Sequence, residues 1–422
     1  MPTSSPRKPG RSVPSTKTAQ TASTGTRNSM YKPTYDLIQR LPKTDLHVHL
    51  DGSMRIPTIL ELAQEQKVKL PTHDPDKLAG LIMAGDVCHS LTDYLRGFDI
   101  TNSVLQTEEG LYRAALELAE DAAAENVHYM EVRYCPMLHI QKGLPLTTIV
   151  EAVLAGLRDG KTKYGIRSGL IISALRHADP KWSLRLAELA VAYKNKGVVA
   201  FDLAGAEDGF QARKHAASFH LIRSNNVNCT AHAGEAFGPE SVHQALHDCG
   251  AHRIGHGTRL REDGDLLNFV ADHRIPLEIC LKSNVQTRAV DSVENHPIQF
   301  YHDLGIRVTI NTDNRLVTDT TVTDEYMLWI NNFDVSISDV REVIINGFKS
   351  AFQPYRTRQD MLMRAISEMD ELMRLDLERH RKETGEPVDQ DVRRDRRGTS
   401  QKIAEGRRPT GQHPVARETP GA

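Results

Sequence analysis

The amino-acid sequence predicts an α/β fold, a single (β/α)8 TIM barrel. Between residues 34 and 380, short β-rich runs alternate with longer amphipathic runs, as expected for repeated βα units around a parallel sheet. Eight such strands in one domain favour a closed barrel over an open doubly wound sheet. Several strands are followed by His, Asp or Glu, and barrels of this class gather functional side chains at the carboxyl ends of their strands.

The eight predicted strands are short runs rich in apolar residues. They cover residues 43–50, 127–135, 168–175, 198–203, 229–233, 253–257, 276–281 and 307–312. Helical stretches separate the strands, among them residues 179–195, 240–249 and 293–304. The first of these begins with Asp179, a favourable N-cap residue, and Pro180, a residue favoured at the first helical position. Residues 54–126 look largely helical and are expected to fold over one barrel end as a partial lid.

Both ends of the chain have the composition of disordered segments. Residues 1–33 contain six Lys or Arg, no acidic residue and many Ser, Thr and Pro, which predicts a flexible basic extension. Residues 384–422 contain no Leu, Phe, Tyr or Trp, which predicts a solvated charged tail. The folded part is therefore expected at residues 34–380.

The overall composition is that of an ordinary globular protein. Hydrophobic residues make up 39% of the chain, charged residues 26%, and the formal net charge is −2, so no nucleic acid or membrane partner is expected. The five cysteines form no Cys-x-x-Cys pair, and no apolar segment has the length of a spanning helix or a secretory signal. A cytoplasmic location is expected. The oligomeric state is not specified, although a monomer is plausible.

Titratable residues cluster at the carboxyl ends of the predicted strands. His47 and His49 are two residues apart on strand one, so both side chains point to the same face. A His-x-His pair alone is more often structural than metal-binding. Here, however, His232 ends strand five, His256 ends strand six and Asp313 follows strand eight, so all five can meet at one barrel end.

Three imidazoles and a carboxylate are ligands that suit Zn²⁺ with an open position for a reactive water. The candidate ligands are His47, His49, His232 and Asp313. Glu235 follows a ligand by three residues and could act as an acid or base on the same water or on its target. The alternative is that Glu235 is a helix-start residue favoured by the helix dipole.

Other catalytic motifs are absent or incomplete. Residues 156–162 resemble a phosphate-binding loop, but the spacing is one residue short and the run follows a helix, so a helix C-cap is the better interpretation. The sequence contains no His-Glu-x-x-His and no Gly-x-Gly-x-x-Gly. It also lacks the paired motifs of the cytidine-type deaminases.

Seven segments in order resemble the adenosine deaminase family and cover nearly all of the predicted barrel. They are TDLHVHLDG at 44–52, SLTDYLRGFD at 90–99, EVRY at 131–134, FDLAG at 201–205, AHAGE at 231–235, RIGHG at 253–257 and NTD at 311–313. The resemblance implies a hydrolase that converts adenosine, and 2′-deoxyadenosine, to inosine and ammonia in purine salvage. It implies a small purine nucleoside as the partner and one zinc ion per chain as the cofactor.

The resemblance also implies roles for individual residues. It assigns the same four zinc ligands, and it makes Glu235 the proton donor to purine N1. His256 would orient the attacking water and help to deprotonate it, and Asp313 would assist in handling protons. The Gly205 backbone N–H would meet purine N3, while His49 and Asp51 would contact the substrate, Asp51 at a ribose hydroxyl.

An apolar gate over the pocket is implied as well, although ordinary helix packing would explain the same side chains. Its members are Leu91, Tyr94, Leu95 and Phe98. One position departs from the commonest form of the family, in which a second Asp follows the ligand and bonds purine N7. This chain has Asn314 there, whose amide can donate a hydrogen bond to N7 without first being protonated.

Related substrates remain open at this point. A deaminase of adenine, AMP or a modified adenine nucleoside could use the same core. Asp51 favours a nucleoside, because adenine-specific relatives resemble His-x-His-x-Glu-Gly at the position where this chain has His-Val-His-Leu-Asp-Gly. Phosphate recognition by Arg176, Lys282 or Arg315 is a further possibility. A different class of protein, a catalytically silent purine-binding barrel, is disfavoured because every proposed ligand and Glu235 are present.

Overall fold

Eight parallel strands form one sheet in the order β1 to β8, which confirms the predicted barrel. The computed structural model describes residues 31–85, 94 and 97–384. The strands are β1 Lys43–His49, β2 Val127–Tyr134, β3 Arg167–Leu175, β4 Val198–Ala204, β5 Asn228–Ala233, β6 Arg253–His256, β7 Leu277–Ile279 and β8 Val308–Ile310. Each overlaps its predicted run, and the differences are confined to the ends of the strands, where sequence patterns are least informative.

The last strand returns to the first just beyond the end of β8. Val48 and Asp313 form a parallel bridge. The His49 N–H donates to the Asp313 carbonyl at 2.7 Å, and the Asp313 N–H donates to the His47 carbonyl at 2.8 Å. Backbone hydrogen bonds therefore bring the polar ends of β1 and β8 together.

Helices surround the strands. Those described are α1 Tyr35–Arg40, α2 Ile56–Gln66, α3 Pro75–Ile82, α4 Gly97–Val104, α5 Glu108–Ala124, α6 Leu146–Tyr164, α7 Pro180–Ala192, α8 Ala216–Ser224, α9 Pro239–His247, α10 Gly264–Asp272, α11 Leu281–Gln286, α12 Ile298–Asp303, α13 Val322–Asn332, α14 Ile337–Ser350 and α15 Tyr355–Thr384. The predicted cap is present, because the Asp179 side chain accepts from the Lys181 N–H. In the part of the chain that is described, no helix combines the length and the apolar character needed to cross a membrane.

The long first connection is helical, as predicted, and contains α2 to α5. Two further differences concern the edges of predicted segments. Tyr31, within the predicted N-terminal extension, is buried, and its hydroxyl bonds Asp376 of α15. The predicted helix at residues 293–304 is divided into a short 3-10 turn, Val293–Asn295, and α12, with Pro297 between them.

The glycine-rich run at residues 156–162 lies inside α6, so its interpretation as a helix C-cap was wrong. The left-handed cap is Gly165. A Cβ atom on Gly156 would lie 2.3 Å from the Tyr112 carbonyl oxygen of α5, and one on Gly160 would lie 2.4 Å from the Ala119 Cβ. These glycines allow two helices to pack closely, a tertiary requirement that a local pattern does not reveal.

We predict that Gly156→Ala lowers the free energy of unfolding by about 1–3 kcal/mol, because the added methyl group meets backbone atoms that must move. Gly80→Ala is the matched control: this helical glycine is exposed, and an added Cβ would have no neighbour within 4 Å. That variant should be neutral or stabilised by up to about 1 kcal/mol. Urea denaturation measures both, and equal stabilities would contradict the close α5–α6 packing.

Candidate active site

Four of the predicted residues meet at the carboxyl end of the barrel. His47 and His49 come from β1, His232 from β5, and Asp313 from the segment after β8. Their potential ligand atoms all lie within 4.8 Å of one another. His47 Nε2 is 3.1 Å from His232 Nε2, and His49 Nε2 is 3.2 Å from the same atom. The Asp313 Oδ1 atom lies 3.4 Å from the Nε2 atoms of both His47 and His49.

The histidine tautomers suit metal binding. His47 Nδ1 lies 2.9 Å from Glu278 Oε2, and His232 Nδ1 lies 3.2 Å from Asp202 Oδ1. Because ionised carboxylates only accept hydrogen bonds, each Nδ1 carries a proton, so in the neutral ring, the form that binds a metal, each Nε2 carries a lone pair. Lone pairs that face each other repel unless a cation lies between them. These residues can therefore hold a metal ion.

The spacing of the donor atoms also fits a small divalent metal. In a tetrahedral site with bonds of about 2.0–2.1 Å, neighbouring donors lie about 3.3–3.4 Å apart. Ser283 Oγ donates to Asp313 Oδ2 at 2.6 Å, which leaves Oδ1 directed at the histidines. Burial is the main reason that the pKa of His49 lies well below its ordinary value, so this ring is neutral.

Glu235 lies beyond β5, next to the metal-binding cluster. Its Oε2 is 3.6 Å from His256 Nε2, and its Oε1 is buried without a hydrogen-bond partner. Burial, followed by the negative charges of Asp313 and Glu207, raises the pKa of Glu235 well above its ordinary value. This shift favours the protonated carboxyl group, which is a proton donor.

His256 is held in one tautomer by a chain of hydrogen bonds that starts at the backbone. The Ile298 N–H donates to His296 Nδ1 at 3.1 Å, so the proton of this neutral ring is on Nε2. That Nε2–H donates to Asn284 Oδ1 at 3.1 Å, and Asn284 Nδ2 donates to His256 Nδ1 at 2.9 Å. Burial lowers the pKa of His296 to about 3 and that of His256 well below its ordinary value. Neutral His256 therefore presents Nε2–H towards the site.

A cavity of about 250 Å³ lies beside this cluster. Every predicted site residue in the described part of the chain lines it, apart from His47, which is fully buried beneath it. These residues are His49, Asp51, Tyr94, Phe98, Gly205, His232, Glu235, His256, Asp313 and Asn314. Of the predicted gate, Leu91 and Leu95 lie outside the described residues, whereas the Phe98 ring lies 6.5 Å from the His49 ring.

Asn314 is held between the first connection and β1. Its Nδ2 donates to the Tyr94 hydroxyl at 2.6 Å, and that hydroxyl also lies 2.6 Å from Thr318 Oγ1. A Cβ atom on Gly52 would lie 1.8 Å from Asn314 Oδ1, so only glycine leaves room for this amide. The phenol of Tyr94 therefore binds a site residue, a role that an apolar gate does not explain.

The sequence analysis missed several lining residues. Asn102 and His177 also face the cavity, and no motif distinguished them from ordinary surface polar residues. Four acceptor atoms of lining residues are buried without a partner: Asp51 Oδ1, Asn102 Oδ1, Glu235 Oε1 and Asn314 Oδ1. Because buried polar atoms are nearly always hydrogen-bonded, these four point to a polar ligand.

The comparisons with known proteins agree with this geometry. A profile of the adenosine deaminase family matches residues 42–368. A probable adenosine deaminase of Dictyostelium discoideum is 44% identical over 319 residues, which span 76% of this chain but only 41% of that protein. The adenosine deaminase of Mycolicibacterium vanbaalenii is 44% identical over 342 residues, spanning 77% of this chain and 94% of that protein.

Solved structures show the same architecture. An adenine deaminase from Arthrobacter aurescens is 25% identical with a TM-score of 0.74, and the match covers 79% of this chain and 99% of that one. Arabidopsis ADAL, solved in complex with IMP, is 27% identical with a TM-score of 0.71, and the match covers 80% and 99% of the two chains. The chain therefore belongs to the adenosine deaminase family.

Proposed function

We propose that this protein hydrolyses adenosine, and 2′-deoxyadenosine, to the corresponding inosine nucleoside and ammonia. The observation that carries the proposal is the set of four unpartnered buried acceptors that surrounds a cavity beside the metal-binding cluster. The 42–44% identity to curated adenosine deaminases supports the same substrate. A role in cytoplasmic purine salvage is part of this proposal.

Zinc is the metal that we propose for the cluster, held by His47, His49, His232 and Asp313. When bound, zinc lowers the pKa of water from about 15.7 to about 7 and so makes a strong nucleophile accessible at neutral pH. A neighbouring amidohydrolase structure from a Burkholderia species is described with bound zinc, and at 22% identity it supports the fold alone. The three-nitrogen, one-oxygen donor set of this chain supports the choice of metal.

The side chains of the protein divide the remaining chemistry between them. Glu235, whose protonated form is favoured by burial, donates to purine N1 and so draws electron density away from C6. His256 presents Nε2–H and orients the oxygen of the attacking water. Accepting the proton of that water at Nε2 would first require loss of the proton already there, so the deprotonating half of its expected role has no support in this tautomer.

A nucleoside suits the cavity better than a nucleotide. Burial raises the pKa of Asp51 to about 6, and its free Oδ1 is an acceptor for a ribose hydroxyl. The three basic residues considered for phosphate binding do not line the cavity. Arg176 donates to backbone carbonyls, Lys282 pairs with Asp319, and Arg315 pairs with Glu125.

We predict about one equivalent of zinc per chain in purified protein, and loss of activity on chelation. His232→Ala should bind little metal, because a central donor is removed. The matched control is His177→Ala, which alters an imidazole that lines the cavity outside the ligand cluster. Metal analysis by mass spectrometry measures the content. Well under one equivalent, with activity intact after chelation, would contradict the zinc assignment.

Glu235→Gln should lower kcat by about 10²-fold or more and leave the zinc content unchanged, because the proton donor is lost while all four ligands remain. The rate of absorbance change as adenosine is converted measures turnover, and metal analysis provides the control. Wild-type turnover in this variant would mean that another group protonates N1.

We predict that Asn314 favours substrates with a nitrogen at purine position 7 over analogues that have carbon there. One amide hydrogen is donated to Tyr94, and the second is available to N7. Comparing adenosine with 7-deazaadenosine on wild type and on Asn314→Ala forms a cycle that cancels the intrinsic reactivity of the analogue. We expect a coupling of about 0.5–1.5 kcal/mol in kcat/KM. If Asn314→Ala lowers kcat/KM by the same factor for both substrates, Asn314 does not contact N7.

A further inference from the structure

One buried carboxylate holds the loop that carries Glu235. Glu207 follows β4, two residues after Gly205, and its side chain is only 3% exposed. It accepts hydrogen bonds from four consecutive backbone N–H groups. The donors and distances are Gly234 at 2.7 Å, Glu235 at 2.9 Å, Ala236 at 2.6 Å and Phe237 at 3.2 Å.

These N–H groups have no alternative partner in regular structure, because residues 234–237 lie between β5 and α9 in neither a strand nor a helix. A buried N–H group without a partner costs about 1–3 kcal/mol. Hydrogen bonds to an ionised acceptor are roughly twice as strong as neutral ones. Glu207 is therefore the main acceptor that keeps this backbone segment in its conformation.

The other side of the loop is held by the segment after β6. Thr258 Oγ1 donates to the Gly234 carbonyl at 2.6 Å, and the Arg259 N–H donates to the same oxygen at 3.0 Å. Gly234 has φ = +70°, a left-handed conformation that favours glycine. The segment after β6 thus binds the carbonyl oxygen of this turn, and Glu207, in the loop after β4, binds its N–H groups.

The carboxyl group of Glu235 has few side-chain neighbours to hold it, the Thr287 hydroxyl being one. Its Oε1 lacks a partner, and the Nε2 atom of neutral His256 is 3.6 Å from Oε2, beyond hydrogen-bond distance. The position of this carboxyl group therefore depends on its own backbone. A shift of about 1 Å in a catalytic group can lower the rate by about 10²-fold. The acceptor that holds the backbone of Glu235 in place therefore also affects the rate of proton transfer from its carboxyl group.

We propose that Glu207 is a positioning residue that holds the Glu235 carboxyl group at purine N1. This inference rests on the proposed function, in which Glu235 is the proton donor. The same carboxylate connects the β4 loop, which contains Gly205, to the β5 loop, which contains Glu235. Two groups expected at N1 and N3 of the same purine ring are thereby kept at a constant separation.

The first test is Glu207→Gln, which keeps the size of the side chain but removes the charge and directs an NH₂ group at backbone donors. We expect kcat to fall by about 10-fold to 10²-fold, KM to change less than threefold, and zinc content to stay at the wild-type level. Glu207→Asp, which keeps the charge and both acceptor oxygens, should retain more activity than Glu207→Gln. Wild-type kcat in Glu207→Gln would overturn the inference.

The matched control is Glu125→Gln. Glu125 is also a buried carboxylate, and it accepts from the backbone N–H groups of Val322 and Thr323 at the start of α13, but it does not line the cavity. We expect this variant to lose at least as much thermal stability, because it also breaks the ion pair with Arg315, and to keep kcat within about threefold. An equal fall of kcat in both variants would show that any buried carboxylate of this kind affects turnover, which contradicts the inference.

A double-mutant cycle separates positioning from general structural damage. If Glu207 acts through Glu235, adding Glu207→Gln to Glu235→Gln should lower kcat less than threefold further. If the two substitutions instead lower kcat by factors that multiply in the double variant, Glu207 affects turnover independently of Glu235. Glu207→Asp replaces Glu207→Gln in the cycle if the latter does not fold. Wild-type turnover in Glu235→Gln alone would instead contradict the proposed function, so the two failures are distinguishable.

Discussion

The buried carboxylate of Glu278 is the constraint on which the site depends. It accepts from His47 Nδ1, from the guanidinium groups of Arg133 and Arg253, and from the Thr230 hydroxyl, all inside the barrel and away from water. Charges in such surroundings are tolerated only when they are fully paired. The hydrogen bond to Glu278 therefore holds His47 Nδ1 in place and directs Nε2 at His232.

The same principle extends to two other ligands. Asp202 bonds both His232 and Ser173, and Ser283 bonds Asp313, so His232 and Asp313 are each oriented by a buried neighbour. Outer hydrogen bonds of this kind select the tautomer and the direction of a metal ligand. The rigidity of the metal-binding cluster is therefore a property of the whole barrel interior.

The cavity contrasts with these paired carboxylates. Beneath it the carboxylates are paired, whereas Asp51, Glu235 and Asn314 each keep a buried acceptor without a partner. Unpaired buried groups reduce stability, and proteins retain them chiefly where a ligand completes them. The Glu207 carboxylate offsets part of this cost, because it satisfies four N–H groups of the loop in which Glu235 lies.

The sequence by itself determined the eight strands and the common face of His47 and His49, because both follow from local periodicity. It also predicted that His47, His49, His232, His256 and Asp313 meet at one barrel end, since parallel strands end on the same side, although it missed Asn102 and His177. Only the tertiary structure showed which groups Glu207 and Asn284 hydrogen-bond and which helix packs closely against Gly156. Their roles depend on contacts between segments distant along the chain, and no spacing within one segment encodes the distance between two loops or two helices.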